Sequence, residues 1–209
     1  MSKLETNTID TVSGTSTLQV GSTNTSTITL GVSGDTINVP SGVTIANSGT
    51  ATGFGGANTP AFYVARGSNQ TISSASTTKI QFDTEIFDTA GAYDNSTNYR
   101  FTVPSGQAGK YYFFTKLNFE NTASGGGDII FVSGGFYKNG AAQNWGITNT
   151  SGGTVETFRQ YLYNNSIILD LSVGDYVEVY GNAIGSSLAL ESNGSGNYET
   201  AFGGYKLIE

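Results

Sequence analysis

The chain has 209 residues, a net charge of −7, and charged side chains at only 12% of its positions. So few cations, unclustered, exclude a phosphate-backbone surface, so no nucleic-acid partner is expected. The absence of His and Cys excludes Ser-His-Asp and Cys-His catalysis, imidazole or thiolate metal sites, and disulfides; with no Cys the redox compartment cannot be read.

No apolar run is long enough to span a membrane, and "MSKLETNTID" lacks the apolar core of a signal peptide. Membrane insertion is not expected, and export would be by particle or lysis. Twelve Tyr, twelve Phe and 29 Gly, without long Leu/Ala/Glu/Lys runs, predict an all-β protein.

Residues 1–56 are rich in Thr, Ser, Gly and Asn, with apolar residues inserted in pairs: Leu18/Val20, Ile28/Leu30, Ile37/Val39 and Val43/Ile45. One residue separates the members of each pair, so each pair can face one side of a short strand. Turn chemistry lies between them, in "GSTN", "GVSGD" and "PSG". The repeat is irregular and cannot bury itself in one copy. The preferred reading is a thin β-rich stem in which three chains wrap together; a disordered Ser/Thr-rich arm is the alternative. The Gly-rich stretch 48–60, ended by Pro60, reads as the joint, giving a stem over 1–56 and a head over 57–209.

Beyond Pro60 the alternation lengthens. Ile80, Phe82 and Ile86 are expected inward, with Lys79, Gln81, Asp83 and Glu85 outward. Tyr99/Phe101/Val103 follows. Asn139-Gly140 predicts a two-residue hairpin leading to Trp145 and Ile147. Ile167/Leu169/Leu171/Val173 alternates, and Gly174-Asp175 turns the chain into Val177/Val179. About ten strands, spaced by turns, predict a sandwich or jelly roll, and no window supports a helix.

The stretch "GKYYFFTKLNF" (109–119) has one nearly apolar face, Tyr111, Phe113, Thr115, Leu117 and Phe119. Its other face starts with Tyr112 and Phe114, two rings that a lone sandwich would not need. A subunit contact would use them; packing under a loop of the same chain is the alternative.

Phe82, Asp88, Tyr93, Phe101, Gly109, Tyr111 and Phe113 fall almost on the globular C1q-domain signature, with one residue inserted before Phe101 and two before Gly109. Thr115 stands where that signature has a last aromatic. "LDLSVGDYVEVY" (169–180) resembles the Leu-x-Val-Gly-Asp strand pair of the same family, and "TAFGGYKL" (200–207), with Phe202, resembles its closing strand. The resemblance covers 61–209. It implies a ten-stranded jelly roll of the C1q and tumour-necrosis-factor type, assembled as a homotrimer, with Phe82, Tyr93, Phe101, Gly109, Tyr111, Phe113 and Phe202 in the core. Tyr112 and Phe114 would meet neighbouring subunits. The stem resembles leader segments of bacteriophage virion proteins more faintly, and no Gly-X-Y collagen run precedes the head.

Paired carboxylates remain as conceivable chemistry. Asp83 and Glu85 are expected on one strand face, and Asp170, Asp175 and Glu178 near one turn. Exposed structural roles account for both groups, so no catalytic residue is assigned. Asp175 and Glu178 are the candidate ligands for Ca²⁺, a hard cation that oxygen donors suit; no other cofactor is expected. The "SGGGD" loop (124–128) lacks the helix a phosphate site would need. Six Asn-x-Ser/Thr triplets, at Asn24, Asn69, Asn95, Asn149, Asn164 and Asn193, are discounted without a secretion signal.

Three functions are weighed: a trimeric tail fibre or spike binding a host-surface glycan or protein, a capsid decoration protein, and a glycan-cleaving enzyme. The expectation is attachment, at the virion surface of a particle made in the host cytoplasm, with the N-terminal segment held by another virion protein. Trp145 and the "GITNTSGG" and "ESNGSGNY" loops offer aromatic and amide groups suited to sugars.

Overall fold

The computed structural model describes residues 20, 23–24, 26–46, 58–123, 129–149, 158–192 and 198–207. The chain divides into two units, Met1–Thr52 and Gly53–Glu209.

In the first unit the turn chemistry acts as expected. Gly34 and Gly42 take positive φ of 97° and 86°. Val32 N–H bonds Asp35 Oδ2 at 2.9 Å, and Val43 N–H bonds Pro40 O at 3.2 Å. No strand occurs among the described residues of this unit, and Ile28, Leu30, Ile37, Val39, Val43 and Ile45 are all exposed. The expected stem pairs its short strands between three chains, since a ladder needs a neighbouring strand. Leu18 and most of the joint lie outside the described residues.

Among its described residues the second unit has thirteen strands and no helix. They are β1 (Ala61–Ala65), β2 (Gln70–Thr71), β3 (Thr78–Lys79), β4 (Thr84–Asp88), β5 (Tyr93–Asp94) and β6 (Arg100–Thr102). Then come β7 (Gly109–Asn121), β8 (Phe131–Lys138), β9 (Ala141–Asn149) and β10 (Gln160–Leu171). The chain ends with β11 (Tyr176–Ile184), β12 (Leu188–Leu190) and β13 (Ala201–Lys206). The larger sheet runs β2-β12-β7-β13-β1-β4, with β10 on the other side of β7. The smaller runs β5-β6-β11-β8-β9, with β3 also on β11. All pairings are antiparallel, so each strand can alternate between core and outer face.

The core between the sheets is aromatic. Phe202 is its hub, with ring centroids 4.9 Å from Phe62, 5.7 Å from Phe82, 6.0 Å from both Tyr93 and Phe113, and 6.1 Å from Phe136. Phe101 stacks on Phe62 at 5.0 Å and meets Tyr111 at 5.3 Å. Tyr111 keeps its hydroxyl satisfied by donating to Gln107 O at 2.6 Å, and burial pushes that hydroxyl's pKa up to about 12. Gly109, at φ 137°, opens β7 in a conformation glycine tolerates.

Local departures from simple alternation have visible causes. Ile86 was expected inward and is 37% exposed, whereas Ile80 and Phe82 are fully buried. The β1–β4 register shifts between Tyr63 and Val64, pairing Tyr63 with Phe87 and Val64 with Glu85, so the bulge removes Ile86 from the inward row. Tyr99 sits at φ 48°, half-buried and before β6, while Phe101 and Val103 are buried. Val173 is exposed because it enters the Gly174 turn, whereas Leu171 is buried and Ile167 and Leu169 pack on the core. The Asn139-Gly140 hairpin forms, with φ of 51° and 80°.

Candidate interaction surface

β7 lies inside the larger sheet, and its period-two pattern sends Tyr111, Phe113, Leu117 and Phe119 into the core. Tyr112 and Phe114 therefore point to the outer face, half-buried. The first covering they meet is other rings of the same face. Phe114 lies 6.0 Å from Tyr63, Tyr63 6.4 Å from Phe87, and Tyr112 5.5 Å from Tyr205. Tyr112 and Phe114 stack on each other at 6.3 Å, and Tyr198 meets Tyr63 edge-on at 6.2 Å.

Register explains the alignment. Phe87, Tyr63, Gly203, Phe114 and Ser166 form one cross-strand row from β4 to β10. Tyr205, Tyr112 and Ile168 form the next. Phe87 is 47% exposed, Ile168 58% and Leu162 51%, so the strip is open along both margins. It is also indented. One cavity of ≈ 360 Å³ opens among Tyr63, Phe87, Phe114 and Tyr205, and another of ≈ 420 Å³ among Tyr112, Phe114, Lys116 and Asn165. An aromatic, concave strip of this size on a sheet face is the kind of surface that binds protein.

The expected pair, Tyr112 and Phe114, thus stands with three rings the sequence reading missed: Tyr63, Phe87 and Tyr205. The signal was present, because "AFYVA" and "EIFD" also carry an aromatic out of phase with their buried neighbours.

The outer face of the smaller sheet carries a second, smaller group. Tyr137 and Tyr180 lie 4.2 Å apart by ring centroid, and Trp145 meets Tyr137 edge-on at 6.0 Å. Arg100 sits over Tyr176 at 4.1 Å. Trp145 belongs to β9 rather than to a loop: it pairs with Gly135 of β8, where the strands lie so close that a Cβ would stand 1.9 Å from Asn144 O and 3.0 Å from Trp145 Cα. Most of the "GITNTSGG" tail and the centre of "ESNGSGNY" lie outside the described residues, as does "SGGGD".

The acidic candidates do not assemble a catalytic pair. Asp83 bonds the buried Arg66 at 3.1 Å and accepts from Gly67 N–H at 2.6 Å, while Glu85 is exposed on β4. Asp175 pairs with Lys138 at 2.9 Å and accepts from Asn139 Nδ2 at 2.8 Å and Ser172 N–H at 2.9 Å. These hydrogen bonds, that from Asn139 foremost, hold its carboxyl down at about 2. Glu178 is taken by Lys79. Asp175 and Glu178, the candidate Ca²⁺ ligands, are each engaged by a lysine instead, and Asp170 is an exposed residue of β10.

No family model matches the chain, and none of the curated proteins matches it. Solved structures do. The globular domain of zebrafish complement 1qA protein is 15% identical, covers 72% of this chain and 98% of its own, with a TM-score of 0.48. Murine APRIL at pH 5.0 is 12% identical, covers 70% of this chain and 98% of its own, with a TM-score of 0.50. The APRIL likeness extends to the fold, and with the two antiparallel sheets described above it defines the class: an all-β jelly roll of the C1q/TNF type.

Proposed function

We propose that this chain is a non-enzymatic, homotrimeric virion protein, a bacteriophage tail fibre or spike component whose jelly-roll head binds the host cell surface. The observation that carries the assembly is the aromatic strip across the outer face of the larger sheet. A single head leaves Phe87, Tyr63, Phe114, Tyr112, Tyr205 and Ile168 against water. Each ring covered by a neighbour removes up to roughly 150–250 Å² from solvent, and at ~25 cal/mol/Å² such rings favour a permanent complex. Threefold closure supplies that cover without leaving an open filament edge.

The open apolar residues of segment 20–46 fit the same reading, since three parallel copies would supply the neighbours that strand pairing there needs. With the larger sheet turned inward, the smaller sheet's face, with Tyr137, Tyr180 and Trp145, remains for a host glycan or protein. The N-terminal segment then anchors to another virion protein.

Light scattering on the native chain tests the assembly: the expected mass is three times 21.8 kDa. A monomer at micromolar concentration overturns the reading. Immunogold labelling of the native particle tests the role. Label at the tail tip supports attachment, label over the shell replaces it with capsid decoration, and labelling of no particle removes both.

A further inference from the structure

The outer face of the smaller sheet is laid out in cross-strand rows. Trp145 of β9, Gly135 of β8 and Tyr180 of β11 form one row, with Lys79 of β3 beyond Tyr180. Ile147, Ser133 and Asn182 form the row on one side of it, and Tyr137 with Glu178 the row on the other. The rings of Trp145, Tyr137 and Tyr180 therefore stand around a position that carries no side chain. Neither tyrosine hydroxyl nor the indole N–H is hydrogen-bonded by another described residue. Charge beside the rings cancels: Lys79 is paired with Glu178, and Arg100 lies over the Tyr176 ring.

The polar row next to the rings is incomplete. Val132 and Phe136 lie in the core, and a Cβ at Gly134 would meet Leu117 and Tyr163 there, so Ser133 points to the outer face. Ser133 is only 1% exposed, yet its Oγ has no hydrogen-bond partner. Oδ1 of Asn182, its neighbour in the row, has none either. Buried polar atoms are almost always paired, so two unpaired oxygens side by side call for an explanation. The Asn182 amide is also loosely held, because Nδ2 makes one long bond, donated to Thr77 Oγ1 at 3.4 Å.

We propose that this face is a binding site for a neutral glycan, with a pyranose ring stacked on Trp145 and Tyr180 across Gly135 and a sugar hydroxyl bonded to the Asn182 amide. A pyranose has apolar C–H groups on its faces and hydroxyls around its rim, so aromatic rings with an amide beside them satisfy both. In turning to the sugar, the amide also offers Ser133 the partner it lacks. A purely apolar protein surface would leave both oxygens unpaired. An acidic glycan would need a free cation, and Lys79 is already taken. The inference rests on the reading above, in which the larger sheet turns inward and this face stays open.

Trp145 is the only tryptophan of the chain, so its emission reports this face alone. The test is an array of neutral and acidic glycans, including oligomers of glucose, galactose and N-acetylglucosamine, probed with the full-length chain. Fluorescence titration with the retained oligosaccharides follows. A saturable change in Trp145 emission with at least one neutral oligosaccharide is expected, unaltered by added NaCl because no net charge is engaged. Tyr180→Ala keeps the reporter and should weaken binding about tenfold or more. Asn182→Leu should weaken it too, while the melting temperature holds or rises because an unpaired oxygen is removed. An array that retains no neutral glycan overturns the proposal, as does binding that leaves Trp145 emission unmoved or survives Tyr180→Ala. With gold at the tail tip those results leave attachment standing and make a host protein the ligand. A glycan bound at Trp145 with no particle labelled keeps the site and removes the virion role.

Discussion

Phe114 of β7 lies across Gly203 of β13: a Cβ built at that glycine would stand 2.6 Å from Phe114 Cζ and 3.1 Å from Phe62 O. The ring of one strand thus rests on the space left by the other's missing side chain. Gly203→Ala should lift the ring out of the strip and cost about 1–3 kcal/mol by overpacking. Gly204→Ala, whose Cβ would meet Phe113 Cδ1 at 2.5 Å, strikes the core instead. Urea melts should report both changes. Light scattering should show loss of the trimer for Gly203→Ala under conditions where its head remains folded.

Phe202 touches five core rings. Phe202→Ala should cost roughly 3–5 kcal/mol through the cavity it leaves. A denaturant midpoint unchanged from the parent would contradict its role as hub.

β7 was legible from its own residues, because period-two alternation over "GKYYFFTKLNF" separates Tyr111 and Phe113 from Tyr112 and Phe114 without knowledge of any partner. Ile86 was not. Its exposure comes from a register shift against Tyr63 and Val64, and a strand's own pattern carries no record of a bulge in its pairing. The ring site of the smaller sheet was still less accessible. Trp145 and Tyr180 stand on β9 and β11, either side of Gly135, and only the sheet order brings them together. Asp175 and Glu178 read as a possible ion site because the lysines that engage them, Lys138 and Lys79, come from other strands.

The Asp175 turn gives a pH dependence with a definite sign. The folded carboxyl is held at about 2, below its ordinary 3.8, so it stabilises the fold above the higher value. That contribution is lost as pH falls from about 4 towards 2. Asp175→Asn should therefore flatten this part of the stability-versus-pH curve, because an amide does not titrate there and carries no charge for Lys138 to pair with. An acid limb identical to the parent's would show that other carboxylates set it.

A chain beginning at Ala57 should retain a folded, trimeric head, because every strand described lies beyond that point. Circular dichroism and light scattering read the two properties separately. An unfolded or monomeric product would mean that the head depends on the N-terminal segment.

Tyr112 and Phe114 allow the sharpest separation of assembly from folding. Both rings lie on the outer face, while Tyr111 and Phe113 beside them are fully buried. Replacing the outer pair together, Tyr112→Asp with Phe114→Lys, leaves the inward row of β7 intact. In a lone head the new charges would face water, and the loss would be that of ring contacts with Tyr63 and Tyr205. At a subunit contact they would be buried unpaired at each of three junctions, costing several kcal/mol per subunit even after relaxation. The expected product is a compact monomer with β-sheet circular dichroism. Phe113→Asp, one position away, should not fold at all, since it places a charge among Phe62, Phe101 and Phe202. If the double variant instead remains a trimer with an unchanged melting temperature, the aromatic strip is an ordinary surface and the trimer contact lies elsewhere on the head.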